Sequence, residues 1–156
     1  MMGVMSTTRT TRHIDASPAA VYAALLDPAS IAAWRVPAGM TSEVHEFEPR
    51  VGGSFRVSLT YDAARAVGKT ASRTDTYHGY FAALVPGERV VEVIEFETDD
   101  PALAGEMTMT TTIAAAGRGV QVAVLHEGLP AGVSAEDNET GTRMALDNLA
   151  ALLGSP

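Results

Sequence analysis

From Phe55 to Tyr61 apolar and polar residues alternate one for one, with Phe55, Val57, Leu59 and Tyr61 set against Arg56, Ser58 and Thr60. A period of two sends the two sets to opposite faces of a strand, so this segment has one face to bury and one to leave in water. The pattern returns along the chain. Tyr77, Gly79 and Phe81 oppose His78 and Tyr80; Met107, Met109 and Ile113 oppose Thr108, Thr110 and Thr112; and Val120, Val122, Val124 and His126 share one row. Repeated one-sided strands need a cover. The segment that can supply it begins at Ser134, a good N-cap with Asp137 three residues on, and carries Met144, Ala145, Leu146, Leu149, Leu152 and Leu153 at helical spacing. An antiparallel sheet closed by one long C-terminal helix follows.

Local signals set the order of the remaining pieces. Residues 9–14 are Thr-rich and read as a first strand. Ser17-Pro18 starts a helix, Val21, Leu25 and Leu26 continue it, and Asp27-Pro28 stops it and opens a second short one reaching about Trp34. Residues 40–47, 74–84 and 89–98 are further strands, with turns at Gly52-Gly53, Pro86-Gly87 and Gly117-Arg118-Gly119. Residues 62–70 carry weak signals and are expected to form a long hairpin loop, a candidate gate. The expectation is an α+β fold: about six or seven strands, two short helices after the first strand, and a single domain over residues 7–153 with flexible ends at 1–6 and 154–156. A chain of 156 residues buries roughly 70% of its unfolded surface, so the core needs no disulfide or metal staple.

Charge and composition exclude several functions. With 11 Lys+Arg against 19 Asp+Glu, the net charge of −8 opposes both a nucleic-acid footprint and an anionic membrane surface. With no cysteine, thiol catalysis and thiolate metal sites are excluded. His13, His45, His78 and His126 never fall at metal-pair spacing, and no G-x-S-x-G, P-loop or G-x-G-x-x-G occurs. No catalytic set, metal or cofactor is therefore expected. No apolar run has signal-peptide or membrane-helix character, and a cytoplasmic location is the expectation.

A few residues stand out on the inward faces. His126 ends an apolar row, where it could orient a ligand or act as acid or base; the alternative is a structural histidine bonded to a backbone carbonyl. Met107, Met109 and Met144 suit a cavity wall as well as plain core. Tyr61 and Tyr77 each offer a ring and one hydroxyl. Trp34, the only tryptophan, could cap a pocket mouth or pack the short helices against the sheet. Gly141 inside a helix costs about 1 kcal/mol relative to alanine, which points to close approach of the sheet or a ligand. Glu92 and Glu95 point to opposite faces of one strand, so one of them faces inward, where it needs a partner or a raised pKa.

Several phrases, in order, resemble the START-like, Bet v 1-like (SRPBCC) superfamily, and within it the branch named for the activator of the heat-shock protein 90 ATPase. They are Ile14-Asp15-Ala16-Ser17-Pro18 with Val21-Tyr22; Trp34, Pro37 and Gly39; Arg50-Val51-Gly52-Gly53-Ser54-Phe55; His78-Gly79-Tyr80 with Pro86-Gly87-Glu88-Arg89; and His126-Glu127-Gly128-Leu129-Pro130. The resemblance implies a helix-grip fold, a curved antiparallel sheet wrapped around the C-terminal helix, with a cavity between them for hydrophobic or amphipathic molecules. It carries no shared catalytic motif. Where members of the branch often have Trp after the glycine of the last helix, this chain has Gly141-Thr142, a smaller residue at a position expected to shape the cavity.

Together these readings give Trp34, Tyr61, Tyr77, Phe81, Met107, Met109, His126, Met144 and Asn148 as expected ligand-binding residues for a small apolar or amphipathic molecule. The alternatives are an enzyme of the polyketide cyclase or dehydratase type, using His126 or an inward glutamate as acid or base, and a chaperone-associated protein-interaction module. A homodimer is also expected to be possible, because an open sheet leaves free edges.

Overall fold

The computed structural model describes residues 6–61 and 74–154. The expected hairpin loop at 62–70 and the extreme chain ends, residues 1–5 and 155–156, lie outside them. Strand β1 (Ser6–Ile14) is followed by helices α1 (Pro18–Leu25) and α2 (Pro28–Trp34). Then come β2 (Met40–Phe47), β3 (Ser54–Tyr61), β4 (Thr74–Val85), β5 (Arg89–Phe96), β6 (Glu106–Ala116), β7 (Gly119–Leu129) and α3 (Ala135–Leu152).

The capping chemistry starts each helix. Ser17 Oγ accepts the Ala20 N–H at 3.1 Å and Asp27 Oδ2 accepts that of Ser30 at 3.0 Å, each just before a proline at the start of the helix. Ser134 Oγ accepts the Asp137 N–H at 3.2 Å, and Glu136 and Asp137 complement the positive end of α3.

The seven strands form one antiparallel sheet in the order β1-β7-β6-β5-β4-β3-β2. First and last strands therefore pair, and α1 and α2 carry the chain across to the opposite edge. Register shifts after Ser6, Val44 and Phe81 mark bulges, which bend strands and help the sheet curve. α3 packs against β1 and α2. This is the helix-grip arrangement that the resemblance implies.

The core lies between sheet and helices, and includes Ile14, Val21, Ile31, Val57, Val90, Val120, Val122, Leu129, Leu146 and Leu149. Two details differ from expectation. Of the apolar stripe on α3, Leu146 and Leu149 are buried together with Ala150, whereas Met144 and Leu152 remain 39% and 45% exposed. Successive helical residues turn by about 100°, so Met144 points well away from the inward line through Gly141, Ala145 and Leu149. The second concerns Phe81. A Cβ at Gly79 would come within 2.0 Å of the Val93 carbonyl oxygen and 2.8 Å of the Phe55 ring. Only glycine leaves that space, and the Phe55 ring lies there, with centroids 6.3 Å from Tyr77 and 5.1 Å from Phe81. Phe47 meets Phe81 edge-on at 5.5 Å. Phe81 is thus committed to an aromatic cluster in the core.

Candidate functional site

A cavity of about 260 Å³ lies between the inner face of the sheet and α3. Leu59, Tyr77, Ile94, Phe96, Met107, Met109, Val124 and His126 line it from the strands. The end of α2 and the following loop add Trp34, Arg35, Val36 and Pro37, and α3 adds Asp137, Asn138, Gly141, Thr142, Ala145 and Leu146. A Cβ built at Gly141 meets no atom within 4 Å. The missing side chain therefore opens onto free space, and close approach of the sheet does not explain this glycine.

Sheet register gathers the polar inner-face residues into one cross-strand row. Thr8 on β1 pairs with His126 on β7, His126 with Met109 on β6, Met109 with Glu92 on β5, and Glu92 with Phe81 on β4. At one end of the row, Thr8 Oγ1 donates to Asn138 Oδ1 at 2.5 Å, tying the first turn of α3 to the sheet. Glu92, rather than Glu95, is the inward carboxylate; its side chain is 5% exposed. Glu95 lies on the outer face, its Oε1 3.4 Å from His78 Nε2.

The partner of Glu92 comes from the other layer. Arg35 Nη1 donates to Glu92 Oε1 at 2.8 Å, and Nη2 approaches Met109 Sδ at 3.5 Å. The guanidinium carbon lies 5.8 Å from the Tyr77 ring centroid, within cation–π range. Burial is the strongest single influence and opposes the Arg35 charge, but the charge and hydrogen bond of Glu92 together with Tyr77 raise the Arg35 pKa above its ordinary value. Burial likewise raises the Tyr77 phenol.

His126 is 7% exposed, and among the described residues its buried Nδ1 has no hydrogen-bond partner. Burial, and secondarily the positive charge of Arg35, lower its pKa to about 4. At neutral pH the ring is uncharged and has no imidazolium proton to give. The backbone-carbonyl bond of a structural histidine does not occur here among the described residues.

Of the nine residues expected to bind a ligand, Trp34, Tyr77, Met107, Met109 and His126 line the cavity. The other four lie elsewhere. Phe81 is in the aromatic cluster, Met144 points outward, and Tyr61 ends β3 at 40% exposure. The Asn148 side chain is held by the backbone: Nδ2 donates to the carbonyls of Trp34 at 3.2 Å and Val36 at 3.1 Å. It clamps the loop that forms one cavity wall. Trp34 lines the cavity, and its indole N–H donates to the Ala24 carbonyl at 3.0 Å, tying α2 to α1. Arg35 and Asn138 carried no sequence signal as site residues, whereas Thr142 stands at the position expected to shape the cavity and lines it. Among the described residues no group of three or more His, Asp or Glu is placed to hold a metal ion, and no helix is long and apolar enough to cross a membrane.

A curved seven-stranded sheet gripping a C-terminal helix, with a cavity between them, defines a START-like protein. The chain belongs to the family described as Activator of Hsp90 ATPase homolog 1-like protein, whose model matches residues 15–154. It is similar to protein CV1439 from Chromobacterium violaceum, at 33% identity and a TM-score of 0.86, over 96% of this chain and 98% of that one. A protein from Rhodobacter sphaeroides shares the fold at 23% identity and a TM-score of 0.80, over 99% and 96% of the two chains. So does a protein of the same family from Silicibacter pomeroyi, at 19% identity and 0.76, over 95% and 97%. No curated protein matches the chain.

Proposed function

We propose that this protein binds a small hydrophobic or amphipathic molecule in the cavity between the sheet and α3. The observation that carries this reading is the open space beside Gly141, walled by Met107, Met109, Trp34 and Leu146. Native cores fill such volume with side chains. Here a helix accepts glycine's cost and leaves the space open. The volume lies just under the range of about 300–1,000 Å³ common for ligand sites, so the occupant is small.

Two features favour binding over acid–base turnover. Glu92 is held by Arg35, and burial lowers the His126 pKa to about 4, so at neutral pH it is a weak base with no acidic proton to give. A protein-interaction module would call for a filled interior and a continuous apolar patch. The large exposed hydrophobic residues among those described are Val51 in a turn, Tyr61 at the end of β3, Tyr80 on β4, and Met144 and Leu152 on α3.

Solvent extraction of freshly purified protein, followed by mass spectrometry, tests the reading against a Gly141→Leu variant whose new side chain occupies the cavity. The expected result is a compound released near stoichiometrically by the native chain and absent from the variant. Equal traces of the same compounds from both would contradict it.

A further inference from the structure

We propose that the cavity selects an uncharged ligand whose carbonyl-type oxygen accepts hydrogen bonds from Arg35, in preference to a carboxylate of the same shape. This deepens the binding reading above and rests on it.

The argument begins with an incomplete set of hydrogen bonds. A guanidinium carries five N–H donors. Among the described residues, the side chain of Arg35 meets one oxygen, Glu92 Oε1, and one weak acceptor, Met109 Sδ. Its side chain is only 15% exposed, and the residue lines the cavity. A largely buried cation with donors left over is costly unless something in the cavity accepts from it. A carbonyl, ether or similar oxygen does so without bringing a charge.

Charge then separates a neutral acceptor from an anion. The Arg35 charge is already paired with Glu92 at 2.8 Å, so an entering anion would have to compete with that carboxylate for it. His126 contributes no positive charge at neutral pH. Asp137 lines the cavity from the first turn of α3 and adds a second carboxylate. An entering carboxylate would lose its hydration and meet one cation already paired, with two carboxylates nearby. A ketone would lose much less hydration and gain the same N–H groups. The remaining contacts, with Ile94, Met107, Phe96 and Val124, are apolar and suit a hydrocarbon or aromatic body.

Titration calorimetry at neutral pH with acetophenone, ethylbenzene and benzoate tests this, because the three share one ring and differ in the group offered to Arg35. Acetophenone is expected to bind about tenfold or more tighter than either of the others, the size of one charge-assisted hydrogen bond. That advantage over ethylbenzene is expected to vanish in the double variant Arg35→Met, Glu92→Met, which removes both charges together and leaves neither unpaired. If ethylbenzene binds the native protein as tightly as acetophenone, the Arg35 anchor is overturned while the binding reading stands. If benzoate binds most tightly, the preference for an uncharged group is overturned. If none of the three binds, this inference and the binding reading fail together.

Discussion

Arg35, at the end of the second short helix, reaches across the cavity wall to Glu92 in the middle of the sheet, with 2.8 Å between Nη1 and Oε1. The two residues belong to different layers, and their pairing joins the α2 end to the strand row that carries Met109 and His126. Breaking one side of a buried pair strands the other charge. Glu92→Gln is therefore expected to lower stability by about 3–5 kcal/mol. Arg35→Met with Glu92→Met should cost much less, because no charge is left behind. Urea unfolding of the native chain, Arg35→Met, Glu92→Met and the double variant closes the cycle and measures the coupling. Additive losses would show that the pair does not act as a unit.

His126 makes stability depend on pH in a defined window. Its pKa falls from 6.5 in the unfolded chain to about 4 in the fold. Between those values the unfolded chain binds the extra proton, so the native state loses stability as pH drops from about 6.5 toward 4, by at most about 1.4 kcal/mol per pH unit. Glu97 acts lower: held chiefly by its hydrogen bond with Arg56, its pKa sits at about 2, and its contribution is lost below the ordinary carboxylate range. In His126→Leu the loss between pH 6.5 and 4 should shrink while the lower one persists. Unchanged profiles in thermal unfolding would remove His126 from the account.

Asn148 is expected to act on the cavity through the loop it clamps. Asn148→Ala removes two hydrogen bonds and leaves the Trp34 and Val36 carbonyls without that donor. A loss of about 1–3 kcal/mol follows, with a shift in Trp34 fluorescence, since the indole lies on the same wall. Asn148→Asp should be worse, because a carboxylate would face two carbonyl oxygens. Unfolding followed by Trp34 emission reads both effects.

Gly141 offers a gain of stability at the expense of binding. A Cβ there meets nothing within 4 Å, so Gly141→Ala should stabilise α3 by about 1 kcal/mol through helix propensity alone. Gly141→Leu should keep that gain and fill cavity volume, abolishing ligand uptake. Destabilisation by alanine, seen in thermal unfolding, would show that the glycine is needed for a backbone contact.

The strands, the three caps and the sheet-and-helix order were legible because each rests on neighbours in sequence. Ser17-Pro18, Asp27-Pro28 and Ser134 act within four residues, and strand alternation needs only a short window. The facing of Met107, Met109 and His126 followed from the same alternation. Arg35 was not legible: its partner is 57 residues away, and nothing local distinguishes an arginine after an apolar helix from a solvated one. Alternation showed that one of Glu92 and Glu95 turns inward, but which one depends on sheet curvature and on where α2 ends. Phe81 was placed on the correct face, yet Gly79 lets Phe55 settle beside it and divert it into the core. Met144 was misplaced because a broad apolar stripe does not mark its own centre.

The central claim is that a ligand sits between the sheet and α3, and methionine methyl groups report on it directly. In protein labelled with ¹³C at the methionine methyls, titration with ethylbenzene tests the cavity independently of the Arg35 anchor. Met107 and Met109 line the space, whereas Met40 and Met144 do not. The account predicts saturable shifts of the Met107 and Met109 resonances with Met40 and Met144 unmoved. Shifts confined to Met144 or Met40, or no shift at any methionine, would contradict it.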